Sequence, residues 1–314
     1  MSSVQAQAVQ ALRSPLVEFT RPHTIIGTTL AVWMLSIMAA IDIHKYSLTT
    51  VLVVYVASLA VNIYIVGLNQ LTDVEIDKIN KPYLPLAAGS MSWNTALAIV
   101  IVSGALALLV SAAAGKYLLG TIGIVFVLGS MYSLPPFRFK SRPFFAATAI
   151  TLARAVVGNA GVYLTYTAAL TGKASLPPHI LLFIAVMLIF VVVIALMKDV
   201  PDLEGDRLHQ ISTFVGRLGA ARTLTLCHVM LTAAYATAIA MAFLLPEPSV
   251  NRLVLAVTHG LAMAALWAKA SQVDIGDKDA VYRHYMFIWK LFYLEFAVFV
   301  AACLAGSQSL SVHS

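Results

Sequence analysis

Two short stretches of this chain place oxygen-bearing side chains at a spacing that metal chemistry can use. The first is "NQLTDVEIDK", Asn69 to Lys78, and the second is "KDVPDLEGDR", Lys198 to Arg207. Asn69, Asp73 and Asp77 recur at every fourth position, and Asp202 and Asp206 repeat that interval with Asp199 shortly before them. Residues four apart share one face of a helix. Carboxylates aligned in this way repel one another, and the repulsion worsens behind the C-terminal end of a long helix, where the macrodipole is already negative. A divalent cation relieves the conflict. With no His or Cys inside either stretch, the oxygen donors favour Mg2+ over Zn2+. Glu75 and Glu204 lie off the stripes and read as solvated side chains. The plain alternative is two acidic loops in water.

Both stretches directly follow an apolar run, and together they hold half of the 14 acidic residues. That recurrence favours the metal reading over chance. The rest of the chain says what must position them. It is 60% hydrophobic and only 11% charged, where soluble globular chains carry about 25% charged residues, and its mean hydropathy is +0.88. A transmembrane helix needs roughly 20 apolar residues. Nine runs qualify, at about 25–41, 49–69, 95–114, 117–134, 146–170, 179–197, 221–244, 253–270 and 285–305. Barrel strands would be short and alternating. The expected fold class is therefore an all-α integral membrane protein with nine transmembrane helices in one bundle. A leading segment 1–24, a transmembrane domain 25–305 and a tail 306–314 complete the expected organisation. The leading segment has no apolar core of a signal peptide and is short for a transit peptide, which favours a prokaryotic protein made in place. Cys227 and Cys303 fall inside spans, as buried thiols rather than a disulfide framework.

A net charge of +6 raises the question of nucleic acid. The answer is no, because the cations sit in loops between membrane spans. The N-terminus and the loops on its side carry Arg13, Arg21, Lys78, Lys81, Arg138, Lys140, Arg142, Lys198, Arg207, Arg217, Arg222, Lys269, Lys278 and Arg283; the opposite loops carry only Lys45, Lys116, Lys173 and Arg252. The positive-inside rule makes the richer side cytoplasmic. Both acidic stretches lie on that side, and the tail lies on the other.

Mg2+ held by one or two carboxylates completes its shell with water and substrate phosphate. The cations around the acidic stretches suit a phosphate: Arg21, Lys78, Arg138 and Arg207, with Lys81, Lys140 and Arg142 equally well explained by topology alone. Arg138 and Lys140 belong to "YSLPPFRFK", whose Pro135 and Pro136 must end the fourth span. A phosphate and magnesium site at the mouth of an apolar bundle suits an amphiphile with a diphosphate head and a hydrocarbon tail.

At this point "NQLTDVEID", "KDVPDLEGD" and "YSLPPFRFK" resemble the signature motifs of the UbiA-type intramembrane aromatic prenyltransferases, over about residues 14–305. Within that superfamily, "RPHTIIGTTL", "NIYIVGLNQLTDVEIDKINKPYLPLAAG", "KDVPDLEGDR" and "YMFIWKLFYLEF" look most like the homogentisate phytyltransferases of cyanobacteria and plastids. The resemblance implies Mg-dependent transfer of a phytyl group from its diphosphate to homogentisate with loss of CO2, giving 2-methyl-6-phytylbenzoquinol, a tocopherol precursor. It implies that Asn69, Asp73, Asp77, Asp202 and Asp206 hold Mg2+, with Asp199 assisting, and that Asp73, Asp77, Asp202 and Asp206 are the catalytic carboxylates. Arg21, Asn69, Lys78, Tyr132, Arg138, Lys140 and Arg207 would meet the diphosphate. A cyanobacterial thylakoid or plasma membrane, with the site facing the cytoplasm, is the expected location.

Polar groups inside spans normally face the bundle interior. Arg154 and Asn159 are candidates for the aromatic acceptor, with a pairing of Arg154 to Glu295 as the structural alternative for the arginine. Lys290 and Glu295 are too far apart around one helix to pair, so each is expected to bond to another span. The rival readings are another aromatic acceptor or donor within the family, including chlorophyll synthase and the homogentisate geranylgeranyl and solanesyl transferases. From another class, the rival is a divalent-cation transporter, which predicts carboxylates near the bilayer midplane rather than at one end.

Overall fold

The computed structural model describes residues 14–200, 214–245 and 250–311. Long apolar runs in lipid have no water to satisfy their backbone, so they must satisfy it internally as helix. Among the described residues nine helices are long and apolar enough to cross a membrane. In chain order these spans are Pro22–Ile43, Leu48–Thr72, Trp93–Ala114, Lys116–Ser133, Phe144–Thr171, Pro178–Met197, Ala220–Ala242, Arg252–Ala270 and Lys278–Ser307. They are called spans 1 to 9 below. Side-chain caps start three of them. Ser47 Oγ accepts from Thr50 N at 3.2 Å, Ser92 Oγ from Thr95 N at 3.1 Å and Asn251 Oδ1 from Val254 N at 3.0 Å, each satisfying an amide that has no partner within its helix.

The spans close into a ring. Span 1 packs on spans 2, 5 and 9; span 2 on spans 3 and 4; span 4 on span 5; and spans 6, 7, 8 and 9 complete the circuit, with span 6 touching spans 5, 7 and 9. Span 6 is apolar all round and is the most buried of the nine, as expected of a helix enclosed by others. Spans 2 and 3 approach closely through glycine. A Cβ on Gly67 would stand 2.6 Å from Val100 Cγ2 and 2.9 Å from the Phe19 ring, and one on Gly104 would stand 2.8 Å from Tyr64 Cδ2. Small residues at such contacts let helices pack without a hydrophobic drive between them.

Two boundaries move from those expected. The last helix begins at Lys278 and runs to Ser311, so the first residues of the expected tail continue the helix. Ahead of span 1, Pro15–Phe19 forms a short helix whose Phe19 is fully buried. Its carbonyl accepts from Gln70 Nε2 at 2.7 Å, which ties the leading segment to span 2.

Polar side chains within the spans find partners across helices. Asn62 Nδ2 donates to Thr24 Oγ1 at 3.0 Å, and Tyr64 and Ser130 hydroxyls meet at 2.7 Å. Glu295 lies 3.1 Å from His259 of span 8, both of them buried. The alternative pairing of Glu295 with Arg154 is thereby corrected. Lys290 also departs from expectation: it is exposed on its helix and makes no hydrogen bond or ion pair among the described residues. A long aliphatic stem lets such an ammonium reach polar surroundings without a protein partner. Cys227 and Cys303 are free and buried.

Candidate active site

The first acidic stretch does not lie on one continuous helix. Span 2 ends at Thr72, Asp73 leaves the helical region at φ −121° and ψ 13°, and a short helix restarts over Val74–Asn80. Thr72 contributes to the break. Its hydroxyl donates to the carbonyls of Leu68 at 3.1 Å and Asn69 at 3.0 Å, giving the backbone an alternative to the regular ladder. Two turn-closing bonds flank the break, Asp73 N to Gln70 O at 3.3 Å and Asp77 N to Asp73 O at 2.7 Å.

Asp73 is the hub of the site. Its Oδ1 accepts from Lys140 Nζ at 2.6 Å, with an Arg138 guanidinium nitrogen 3.9 Å away, and its Oδ2 accepts from Asn69 Nδ2 at 3.0 Å. Lys140 also donates to Thr72 Oγ1 at 2.7 Å. A short 3-10 turn, Phe139–Ser141, delivers that lysine. Burial lowers the Lys140 pKa from the ordinary ammonium value, against the opposing pull of its hydrogen bond to Asp73. Asp77 is buried, and desolvation raises its pKa; Lys81, 4.0 Å away, offsets part of that, while Asp73 adds to it. The repulsion read from the sequence is therefore met in part by protein cations.

Two arginines at this end hold unusual backbone. Arg21 has φ 53° and Arg138 has φ 39°, a left-handed region that non-glycine residues rarely occupy. Pro22 makes Arg21 still less comfortable, because a residue before proline favours extended backbone. Strain of this kind concentrates at functional sites.

Behind the charged residues a cavity of about 290 Å³ runs into the bundle between spans 1, 2, 4, 5 and 9. Arg21, Asn69 and Tyr132 stand at its mouth, and Asn62, Arg154 and Asn159 lie within it. Val61, Ile65, Val125, Leu128, Phe292 and Phe296 make much of the wall. From Asn69 to Ser58 along span 2 the lining extends roughly 16 Å at the α-helical rise.

The fifth span is not the uninterrupted α-helix its sequence suggests. Residues Leu152–Gly158 form a π-helical segment between Pro143–Thr151 and Asn159–Thr171. Ala153, Arg154, Gly158 and Asn159 all line the cavity as a result. A Cβ on Gly158 would sit 3.0 Å from the Ala153 carbonyl oxygen, so the widened turn suits glycine. Such insertions are frequent at functional sites. Arg154 makes no hydrogen bond or ion pair among the described residues, whereas Asn159 Nδ2 donates to the Ala155 carbonyl at 3.0 Å.

Arg21, Asn69, Asp73, Asp77, Tyr132, Arg138, Lys140, Arg154 and Asn159 are thus brought to the cavity or its mouth. Lys78 is not. It pairs with Glu75 at 2.8 Å on the exposed flank of the short helix. Asp202, Asp206 and Arg207 lie outside the described residues. Asp199 is described, 3.9 Å from Lys198. Lys198, counted in the sequence only for its place in the charge distribution, also stands at this site. Burial works to lower its pKa, but Tyr132, Asp199 and Tyr285 outweigh it and leave the value raised, which puts a firmly charged ammonium beside the mouth. Its position next to Asp199 was the available signal.

The donors fit Mg2+ chemically. Among the described residues no three His, Cys, Asp or Glu side chains converge on one point. Asp73 and the buried Asp77 nevertheless present carboxylate oxygens, and Asn69, with its Nδ2 turned to Asp73, keeps its carbonyl oxygen for a ligand. One or two carboxylates are the usual protein share of a Mg2+ shell.

Comparison with known proteins adds to this geometry. The model of the UbiA prenyltransferase family matches residues 25–291. Homogentisate phytyltransferase 1 of Arabidopsis thaliana is 41% identical over 285 residues, covering 88% of this chain and 72% of the relative. Homogentisate phytyltransferase of Synechocystis is 38% identical over 289 residues, covering 90% and 94%. Among solved structures, a UbiA homolog from Archaeoglobus fulgidus bound to GPP and Mg2+ superposes with a TM-score of 0.63 at 16% identity, covering 92% of this chain and 100% of that one. That last likeness is one of fold.

Proposed function

The chain belongs to the UbiA prenyltransferase family, and we propose that it transfers a phytyl group from phytyl diphosphate to homogentisate with loss of the acceptor's carboxyl as CO2. It is an integral membrane prenyltransferase, similar to homogentisate prenyltransferases over most of its length. One observation carries the finer reading: cations and carboxylates gather at the mouth of a long apolar cavity, and an arginine with no protein partner among the described residues stands inside it. The first arrangement suits a diphosphate with a hydrocarbon tail. The second suits a carboxylated ring.

In this reading Arg21, Arg138 and Lys140 meet the diphosphate, and Asn69, Asp73 and Asp77 hold Mg2+ together with Asp199, Asp202 and Asp206. Bound Mg2+ supplies Lewis acidity that stabilises the charge building on the departing diphosphate. The apolar wall keeps water from the allylic carbon while its bond to oxygen breaks, since water would trap the cation as an alcohol. Arg154 pairs with the homogentisate carboxylate and Asn159 helps to orient the ring. The ring carbon then bonds to the allylic carbon, the carboxyl leaves as CO2 with its bonding pair retained by the side-chain methylene, and the proton lost from the alkylated ring carbon is balanced by one gained at that methylene, which becomes the methyl group. The basic loops support a mouth facing the cytoplasm of a thylakoid or plasma membrane. The first acidic stretch follows the end of span 2 rather than lying within it, which does not favour ion transport through the middle of the bundle.

Membranes containing the protein, incubated with homogentisate and phytyl, geranylgeranyl or solanesyl diphosphate, test this by product mass. The phytyl product should dominate. Prenylation of a different phenol, with homogentisate untouched by all three donors, would overturn the proposal.

A further inference from the structure

Outside the cavity, the most unusual chemistry in the bundle is a sealed polar cluster where spans 7, 8 and 9 meet. Tyr235, His259 and Glu295 are each fully buried. His259 Nε2 lies 3.1 Å from Glu295 Oε2, yet without hydrogen-bond alignment. That nitrogen, both carboxylate oxygens and the Tyr235 hydroxyl all lack a hydrogen-bond partner among the described residues. The Tyr235 and His259 rings meet edge to face at 5.8 Å, and Phe299 stands against His259 at 5.6 Å.

The proton count follows from His259's other nitrogen. Nδ1 is 2.8 Å from the Leu255 carbonyl oxygen, which can only accept, so Nδ1 carries a hydrogen. In the neutral ring Nε2 would then present a lone pair to Glu295. Two lone pairs at this distance repel, so a proton must lie between them. It belongs either to an imidazolium facing a carboxylate or to a carboxylic acid facing a neutral imidazole. Both arrangements leave the pair with no net charge, the tolerable state at this depth. The Tyr235 ring packs on His259 and its hydroxyl has no hydrogen-bond partner among the described residues, which leaves it able to donate within the cluster.

Glu295 shares its helix with Phe292 and Phe296, which line the cavity. At about 100° per residue, Glu295 lies on the flank next to those two rings. A bond from Glu295 to span 8 therefore fixes the rotation of span 9, and with it the cavity wall. We propose that His259 and Glu295 share one proton in a buried interhelical bond, assisted by Tyr235, and that this bond is a positioning device for Phe292 and Phe296 against the prenyl chain.

The proposal rests on the reading that the cavity holds a prenyl chain, so its test needs a readout independent of turnover. Glu295→Gln, Glu295→Leu, His259→Leu and the double variant His259→Leu/Glu295→Leu would be measured for thermal unfolding in detergent and for KM and kcat with the prenyl diphosphate. The Gln amide can donate to Nε2, so Glu295→Gln should match the parent in both. Glu295→Leu should raise the donor KM about tenfold with kcat nearly unchanged, the pattern of binding lost equally in ground and transition states. If Glu295→Leu does not accumulate in the membrane, the double variant leaves no stranded partner and carries the same kinetic expectation. The unfolding midpoint of the double variant should not fall below that of His259→Leu, because the two residues act as one unit. An unchanged KM in folded Leu variants would sink the positioning role. A Glu295→Gln variant as impaired as the Leu variant, or additive losses of stability, would sink the shared proton. Should the parent prenylate nothing, the reading of the cavity fails, while the unfolding data still decide whether the bond exists.

Discussion

Lys140 Nζ rests 2.6 Å from Asp73 Oδ1, with both side chains largely withdrawn from solvent. If Asp73 holds Mg2+ as proposed, the lysine already occupies one of the two oxygens the metal could use. One oxygen cannot serve both at full strength, so metal binding and this ion pair oppose each other. The loop that carries Lys140 and the end of span 2 are thereby coupled through a single atom.

Replacing Lys140 with Met should therefore act with opposite signs on the two ligands. The apparent Mg2+ requirement should fall, because Asp73 loses its competitor. The donor KM should rise by roughly tenfold to a hundredfold, the usual worth of a hydrogen bond to a charged group. Mg2+ titration at fixed donor, followed by donor titration at saturating Mg2+, separates the two effects. Equal losses in both would show that Lys140 serves only to hold the loop.

Activity should vanish in excess chelator and return with Mg2+ or Mn2+. Asp73→Asn should lower kcat/KM by about 10² or more, in the range seen for lost electrostatic stabilisation, while the protein still inserts in the membrane. Residual turnover near the parent level in chelator would remove metal from the scheme.

Packing makes a separate prediction. A methyl group on Gly67 meets Val100 and the Phe19 ring inside ordinary contact distance. Gly67→Ala should destabilise the protein by about 1–3 kcal/mol, as overpacked cores do, and loosen the leading segment that Phe19 anchors. The unfolding midpoint and protease sensitivity at Arg21 report on each. An unaltered midpoint would mean that span 3 can shift at little cost.

How much of this was legible beforehand depends on the range of the interaction involved. The nine spans were, because an uninterrupted apolar run is a local signal. The break at Asp73 was not: a regular four-residue spacing reads as one helix, and nothing local shows that Thr72 turns its hydroxyl back on the ladder. The π-helical segment was equally hidden, since "ITLARAVVGNAGV" has no proline to mark it. Pairings depend on folding. Lys140 and Asp73 are 67 residues apart, and Glu295 meets His259 only because spans 8 and 9 lie side by side. Lys78, adjacent in sequence to the acidic stretch, points away because a nearer partner, Glu75, takes it.

Sidedness can be read directly. With Cys227 and Cys303 replaced by Ala, a cysteine at Ser141 should react with an impermeant thiol reagent from the cytoplasmic face alone, and one at Ser309 from the far face alone. Labelling of both from one side would require an even number of crossings. An exchange of the two sides would invert the topology and detach the site from a cytoplasmic supply of acceptor.

The proposed contact between Arg154 and the acceptor carboxylate can be tested by substitution. Its guanidinium has no partner among the described residues, and the π-helical turn places it in the cavity with Asn159. Arg154→Leu should raise the KM for homogentisate about tenfold to a hundredfold, as loss of a charged hydrogen bond does, while the donor KM stays near the parent value. Carboxyl-labelled homogentisate should release its label as CO2 in step with product. A prenylated product that keeps the label would show that the ring is alkylated without losing its carboxyl. An Arg154→Leu variant with unaltered acceptor KM would move the carboxylate contact to another residue of the cavity.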